Sequence, residues 1–90
     1  MARILLAEDD NDMRGFLARA LERAGHEVHS FAEGVSAFEE LKSREVDLLL
    51  TDIVMPEMDG IELARRAAEL DPALKIMFIT GFAAVALHPD

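Results

Sequence analysis

Four short apolar runs, each followed by a segment with helical spacing, constrain the fold of this chain most strongly. The runs cover positions 4–7, 27–31, 46–51 and 75–79, and the second of them alternates polar and apolar residues. Between the runs, apolar residues recur every three or four positions, which is the period of a helix face. Strands that alternate with helices form a parallel sheet with helices on both faces. The sequence therefore predicts an α/β fold with a doubly wound parallel sheet.

Three helices are predicted between the strands, and a fourth is expected to begin at 82–87. Gly25 is placed to end the first helix, and Pro72 ends the third because proline lacks an N–H and restricts the residue before it. The predicted inner face of the first helix comprises Met13, Phe16, Leu17, Ala20, Leu21 and Ala24. The predicted inner face of the second helix comprises Val35, Phe38 and Leu41. The third helix is predicted to begin near Gly60, and its inner face comprises Ile61, Ala64, Ala67 and Ala68.

Acidic residues directly follow two of the predicted strands. Glu8 and Asp9 follow the first, Asp52 follows the third, and the hydroxyl residue Thr80 follows the fourth. In open parallel sheets, ligands bind at the carboxyl ends of the strands, where the strand order reverses. If the order is 2-1-3-4, the first, third and fourth strands are neighbours, and these four residues converge on one site.

Three carboxylates at one site point to a hard cation. Mg²⁺ prefers oxygen ligands, and it relieves the mutual repulsion of Glu8, Asp9 and Asp52. A cation there keeps Asp52 ionised as a nucleophile that can attack phosphorus. Thr80 offers a hydroxyl, and Gly81 a backbone N–H, to an oxygen of the transferred phosphoryl group. The sequence thus predicts a Mg²⁺-dependent phosphoryl site.

Each of these residues also has an ordinary structural interpretation. Asp10 can simply cap the first helix, Asp52 can belong to a turn, and Thr80 can be a strand-end hydroxyl with a local partner. Their joint placement at matching strand ends favours the phosphoryl site over these separate explanations.

Composition narrows the possible partners and locations. The chain has 90 residues, enough for one domain, and its 18 acidic residues outnumber its 9 basic ones. Direct binding of nucleic acid is disfavoured because the phosphate backbone requires a basic surface. The chain has no cysteine and no apolar run long enough to cross a membrane, which excludes thiol chemistry and favours a cytoplasmic protein.

Three segments resemble the receiver domain of bacterial two-component response regulators. They are ILLAEDD at 4–10, DIVMP followed by MDG within 52–60, and ITG at 79–81. The resemblance implies the CheY-like version of the doubly wound fold, also called flavodoxin-like. It also implies that Asp52 accepts a phosphoryl group from a sensor histidine kinase or a histidine phosphotransfer protein.

The same resemblance implies a role for each residue of the site. Glu8 and Asp9 would hold Mg²⁺ together with Asp52 and the carbonyl of Val54. Thr80 would move toward the phosphoryl group, and this movement would switch the binding of an output partner.

The segment FITGFAAVAL at 78–87 is similar to single-domain cell-cycle regulators of the CpdR type. Members of that group act as phosphorylation-controlled adaptors for the ClpXP protease, which is the output partner that this similarity implies.

The chain departs from the receiver pattern after Thr80. A receiver has a fifth strand that carries a lysine and then a fifth helix, whereas the lysines here are Lys42 and Lys75, neither at the carboxyl end of a predicted strand. Residues 1–90 are therefore expected to be a receiver domain that is incomplete at its C-terminus, as a fragment of a longer protein. A natural chain of this length would instead be expected to form a homodimer through the exposed edge of the fourth strand.

Two other functions compete with a phosphorylation switch. A Mg²⁺-dependent aspartyl phosphatase resembles the pattern Asp-x-Asp, but Val54 stands at its acid-base position, so an enzyme is not expected beyond self-phosphorylation and self-dephosphorylation. A receiver fold that binds partners without phosphorylation is the nearer alternative, because the expected lysine is missing.

Overall fold

Four parallel strands form the sheet in residues 1–79, the part of the chain that the computed structural model describes. The strands are β1 (Arg3–Ala7), β2 (Glu27–Phe31), β3 (Leu48–Asp52) and β4 (Lys75–Ile79). Their order is β2-β1-β3-β4, which confirms the predicted order 2-1-3-4. The expected fourth helix at 82–87 lies outside the described residues, as do Thr80 and Gly81.

Three helices connect the strands, namely α1 (Asn11–Arg23), α2 (Gly34–Ser43) and α3 (Gly60–Leu70). Helices α2 and α3 contact each other and cover the sheet face formed by Leu5, Ala7 and Leu49, all of which are fully buried. Helix α1 packs against β1 and β2. Because successive side chains of a strand point to opposite faces, Ile4 and Leu6 lie on the α1 side, where they are also buried. The sheet therefore has helices on both faces, as predicted.

The ends of the helices follow local sequence signals. Asp10 and Asp59 cap α1 and α3, and their carboxylates accept the backbone N–H groups of the residues three positions later, at 2.9 and 2.8 Å. Gly25 follows α1 with a φ of 97°, and its N–H donates to the Glu22 carbonyl at 2.9 Å. Helix α3 stops at Leu70, directly before the Asp71-Pro72 pair.

Several details of the predicted elements are wrong. Val35 of α2 is predicted to lie on the inner face but is 45% exposed, and Ala68 of α3 is exposed as well. Strand β3 begins at Leu48, two residues later than predicted. In α3, the buried residues are Gly60, Leu63 and Ala67, whereas Ile61 is 54% exposed. The close packing of Gly60 against β3, described below, sets the rotation of this helix and turns Ile61 away from the sheet.

The apolar face of α1 is wider than the surface it covers in residues 1–79. Its Leu17 and Leu21 are half-buried, while Phe16 is 63% exposed and Met13 is 43% exposed. Among the helices of this part of the chain, none is long and apolar enough to cross a membrane.

Candidate functional site

Three carboxylates meet at the carboxyl ends of β1 and β3. The two strands are neighbours, and Ala7 lies opposite Thr51, so the next residues along each strand, Glu8 and Asp52, are also adjacent. Oxygen atoms of Glu8, Asp9 and Asp52, one from each, all lie within 4.8 Å of one another. The structure therefore brings together the three acidic side chains that the sequence predicted to converge.

Glu8 is the most buried of the three, with only 4% of its surface exposed. Its backbone N–H extends the pairing of β1 with β2 by donating to the Phe31 carbonyl at 3.0 Å, and its Oε2 accepts the Asp10 N–H at 3.0 Å. Burial raises the pKa of the Glu8 carboxyl to about 7, and the nearby Asp52 and Asp9 add to this rise, while the Asp10 N–H opposes it. A negative charge at Glu8 is thus costly unless a cation balances it.

Asp52 is half-buried at the last position of β3, and its Oδ1 accepts the N–H of Ile53 at 2.8 Å. This short-range hydrogen bond restricts the rotation of the carboxylate. Val54 follows two residues later, beyond the end of β3, and 75% of its surface is exposed.

Gly60 fixes the segment that leads away from Asp52. A Cβ atom at position 60 would lie 1.8 Å from the backbone carbonyl oxygen of Asp52, so no larger residue fits without a shift of the backbone. The Gly60 N–H also donates to the Ile53 carbonyl at 2.8 Å. The first turn of α3 therefore packs directly on the backbone of Asp52. The hydrogen bond from Gly60 to Ile53 joins the two ends of the loop between β3 and α3.

Asp10 caps a helix, which is the ordinary structural interpretation given for it above. Its Oδ1 caps α1 through the Met13 N–H, and Asp10 does not belong to the group of three clustered carboxylates. The acidic run at 8–10 thus divides into two residues that face the site and one that begins a helix.

Sequence reasoning missed Arg14. This half-buried side chain on α1 donates from Nη1 to the backbone carbonyl of Glu8 at 2.9 Å and from Nη2 to Oδ1 of Asn11 at 2.6 Å. Its position in the first turn of the helix was a weak signal, because the contact exists only after the helix folds back beside the end of β1.

Thr80 and Gly81 cannot be placed, because they lie outside the described residues. Their predicted roles remain predictions. The register of the sheet pairs Asp52 with Ile79, the last described residue of β4, which directly precedes Thr80 in the chain.

An oxygen-only group of carboxylates suits a hard divalent cation such as Mg²⁺. The two properties that support this fit are the short separation of the three oxygens and the raised pKa of the buried Glu8. Both indicate concentrated negative potential, which a cation would relieve.

Comparison with known proteins gives a consistent picture. Residues 4–88 match the family model described as the response regulator receiver domain. The chain is 73% identical to the response regulator receiver protein CpdR of Brucella abortus over 90 residues. This alignment covers 100% of the chain and 75% of the relative, so the chain spans three quarters of the length of that protein.

Two solved structures add to this likeness. One is the response regulator protein TrrA of Thermotoga maritima in complex with Mg²⁺-BeF, with a TM-score of 0.83 and 31% identity. The aligned region covers 87% of this chain and 68% of TrrA. The other is TrrA in complex with the histidine kinase ThkA, with a TM-score of 0.81 and 31% identity over 87% of the chain and 67% of the matched one.

Proposed function

The chain belongs to the response regulator receiver family, and on this premise we propose that it is a phosphorylation-dependent switch whose phosphoryl acceptor is Asp52. The observation that carries the proposal is the group of three carboxylates, Glu8, Asp9 and Asp52, whose oxygens lie within 4.8 Å of one another at the ends of adjacent strands. Asp52 is the member that ends the central strand β3 and is half-buried, which suits a nucleophile that a donor must reach.

In the proposed reaction, a carboxylate oxygen of Asp52 attacks the phosphorus of a phosphohistidine donor. A P–O bond to Asp52 forms as the P–N bond to the imidazole breaks, and the product is an acyl phosphate. The hydrogen bond from Ile53 N–H to Oδ1 holds the carboxylate in one orientation during the attack. Glu8 and Asp9 do not form bonds to phosphorus.

The same residues are proposed to hold Mg²⁺, with the Val54 carbonyl as a further ligand. When bound, the ion would neutralise the charge of the phosphoryl oxygens and of the three carboxylates. Glu8 must lose its proton to act as a ligand, which links ion binding to pH because its pKa is raised to about 7.

Thr80 and Gly81 are proposed as the residues that detect the phosphoryl group. The Thr80 hydroxyl and the Gly81 N–H would each donate to a phosphoryl oxygen, and the shift of Thr80 would change the surface that partners bind. Their position in the chain, directly after the β4 residue that pairs with Asp52, supports this role.

The proposed phosphoryl donor is a sensor histidine kinase or a histidine phosphotransfer protein in the cytoplasm. The complex of TrrA with the histidine kinase ThkA supports the kinase, because TrrA shares the fold and is 31% identical to this chain over the aligned residues. The likeness to CpdR supports a protein as output partner, for which we propose the ClpXP protease. Association of two copies through the outer edge of β4 is a further proposal.

The test is the binding of beryllium fluoride, which mimics a phosphoryl group on a carboxylate. We expect the full chain to bind it only when Mg²⁺ is present, and we expect Asp52→Asn to abolish this binding. Glu22→Gln is the matched control, because it also exchanges a carboxylate for an amide, but at an exposed position of α1. Calorimetric titration or amide chemical shifts would measure the binding.

A receiver fold that acts without phosphorylation is the second candidate. It is favoured by the placement of the lysines in residues 1–79, because Lys75 begins β4, at the end remote from the acidic site, and Lys42 lies in the last turn of α2. Neither lysine is placed to pair with a phosphoryl group on Asp52. Beryllium fluoride binding that is equal in Asp52→Asn and the unmodified chain, or absent from both, would support this candidate and contradict the switch.

A further inference from the structure

We propose that Arg14 is a positioning residue for the metal site, which holds the β1–α1 loop in the shape that brings Asp9 beside Glu8 and Asp52. The inference rests on the proposed function, because it assigns a residue to the proposed Mg²⁺ site. Arg14 itself does not touch the ion. It acts through the backbone between the strand and the helix.

The carbonyl that Arg14 contacts belongs to the peptide group that joins Glu8 to Asp9. Its Nη1 donates to this oxygen at 2.9 Å, in a part-buried setting. Because a peptide group is planar, fixing the direction of its carbonyl also fixes the direction in which the chain continues to Asp9. The orientation of Asp9 therefore depends on a side chain six positions from Glu8.

A second hydrogen bond makes the contact rigid. Nη2 of the same guanidinium donates to Oδ1 of Asn11, the first residue of α1, at 2.6 Å. The guanidinium is planar and presents its donors in a fixed fork, so two simultaneous bonds leave it little freedom. Arg14 thereby joins the end of β1 to the first turn of α1, on either side of the loop that carries Asp9.

Two further contacts hold the loop on its inner side. Oε2 of Glu8 accepts the Asp10 N–H at 3.0 Å, and Oδ1 of Asp10 accepts the Met13 N–H at 2.9 Å. These contacts orient Glu8 and begin the helix, but neither of them contacts the Glu8–Asp9 peptide carbonyl. Arg14 supplies that contact.

Geometry distinguishes this role from simple attraction between charges. Within residues 1–79, no carboxylate lies within ion-pair distance of Arg14, although Glu8, Asp9, Asp10 and Asp12 are all nearby in the chain. Its two acceptors are a carbonyl and an amide oxygen, both neutral. Removing Arg14 should therefore act through the shape of the loop more than through the loss of a positive charge.

The experiment compares three variants of the full chain in a Mg²⁺ titration followed by calorimetry. Arg14→Met keeps the aliphatic stem and removes both hydrogen bonds, and we expect the Mg²⁺ dissociation constant to rise about tenfold, in the range found for residues that orient metal ligands. Arg14→Lys keeps the charge but cannot form the fork, and we expect an intermediate loss. Arg19→Met is the matched control, because it removes the same charge from an exposed position of the same helix.

A second readout does not need the ion. In the metal-free protein, hydrogen exchange of the Asp10 amide should be faster in Arg14→Met than in Arg19→Met, because the loop is released. Equal Mg²⁺ affinity in Arg14→Met and the unmodified chain would overturn the inference, as would an equal loss in Arg19→Met. Failure of the unmodified chain to bind Mg²⁺ would instead contradict the proposed function, so the two failures are distinguishable.

Discussion

Glu8 shows how one residue prepares the site for a cation. The apolar run before it places it at the end of a buried strand, and only 4% of its surface remains exposed. A carboxylate in such surroundings loses the water that would stabilise its charge, and Asp52 and Asp9 add repulsion. Its pKa therefore rises to about 7, and the charged form of Glu8 is destabilised in the metal-free protein near neutral pH.

The raised pKa of Glu8 predicts that the unfolding free energy of the metal-free protein depends on pH. The folded pKa of Glu8, about 7, lies above its ordinary value of 4.5, so folding favours the protonated form. The stability that the protonated form contributes is present below pH 4.5 and is lost as the pH rises to about 7. The full change in the pKa of Glu8 corresponds to on the order of 3 kcal/mol of unfolding free energy.

The variant Glu8→Gln isolates this contribution, because it keeps an oxygen that can accept the Asp10 N–H and cannot ionise. In urea denaturation with a chelator, we expect the variant and the unmodified chain to be similar in stability at pH 4.5 and the variant to be more stable above pH 7. Mg²⁺ should then stabilise the unmodified chain and have little effect on the variant. A difference in unfolding free energy that does not change with pH would contradict this explanation.

At the scale of elements, the first turn of α3 and the end of β3 behave as one unit. Gly60 is packed against the Asp52 carbonyl, its N–H donates to the Ile53 carbonyl, and the cap at Asp59 begins the helix at that point. The helix that follows the acceptor thus determines where the acceptor and Val54 lie. A change in the helix position would be transmitted directly to the site.

Two glycine-to-alanine substitutions test this coupling. Gly60→Ala introduces a Cβ 1.8 Å from a backbone oxygen, and we expect a loss of about 2–3 kcal/mol in unfolding free energy together with weaker Mg²⁺ binding. Gly15→Ala, in the middle of α1, meets only the flexible end of Arg19 at 3.3 Å, and it should stabilise the protein by about 0.5–1 kcal/mol. Chemical denaturation measures the two changes in unfolding free energy, and calorimetric titration measures Mg²⁺ binding. Equal effects of the two substitutions would show that Gly60 has no special contact.

The sequence predicted elements well where a short apolar run had clear limits. The bounds of β2 and β4 were predicted correctly, and the structure confirms the order 2-1-3-4, on which the predicted convergence of Glu8 and Asp52 depended. The rotation of α3 was not predictable from its apolar spacing, because Ile61 and Leu63 are both apolar and the contact of Gly60 with β3 decides between them.

The site was predicted at the level of its carboxylates but not of the groups that hold them. Strand ends are visible in a sequence, whereas the Arg14 contact depends on how α1 folds back beside β1. Contacts of this kind join residues through the fold, and periodicity does not reveal them.

At the scale of the whole molecule, the two ends of the sheet differ in character. Acidic groups at the carboxyl ends of β1 and β3 concentrate negative potential in a chain with a net charge of -9. At the opposite end, Arg3 pairs with Glu45 and Asp47 at 3.2 and 3.6 Å, so a positive side chain partly offsets the negative charge there. A cation is therefore attracted to one end of the molecule, where the proposed acceptor lies.

All the carboxylates of the proposed metal site belong to residues 1–79. They depend on β1, β3 and the first turn of α3, which the described part of the chain contains in full. The proposed detection of the phosphoryl group depends on Thr80 and Gly81, which directly follow. Acceptance of the phosphoryl group is thus the step that the described geometry supports most strongly.

The most direct test of the central claim is to identify the phosphorylated residue. The full chain is treated with acetyl phosphate and Mg²⁺, and borohydride then reduces any aspartyl phosphate to homoserine, which peptide mass spectrometry locates. We predict homoserine at position 52, dependent on Mg²⁺ and absent from Asp52→Asn. Reduction at a different carboxylate, or no reduction at position 52 in a chain that binds Mg²⁺, would contradict the account.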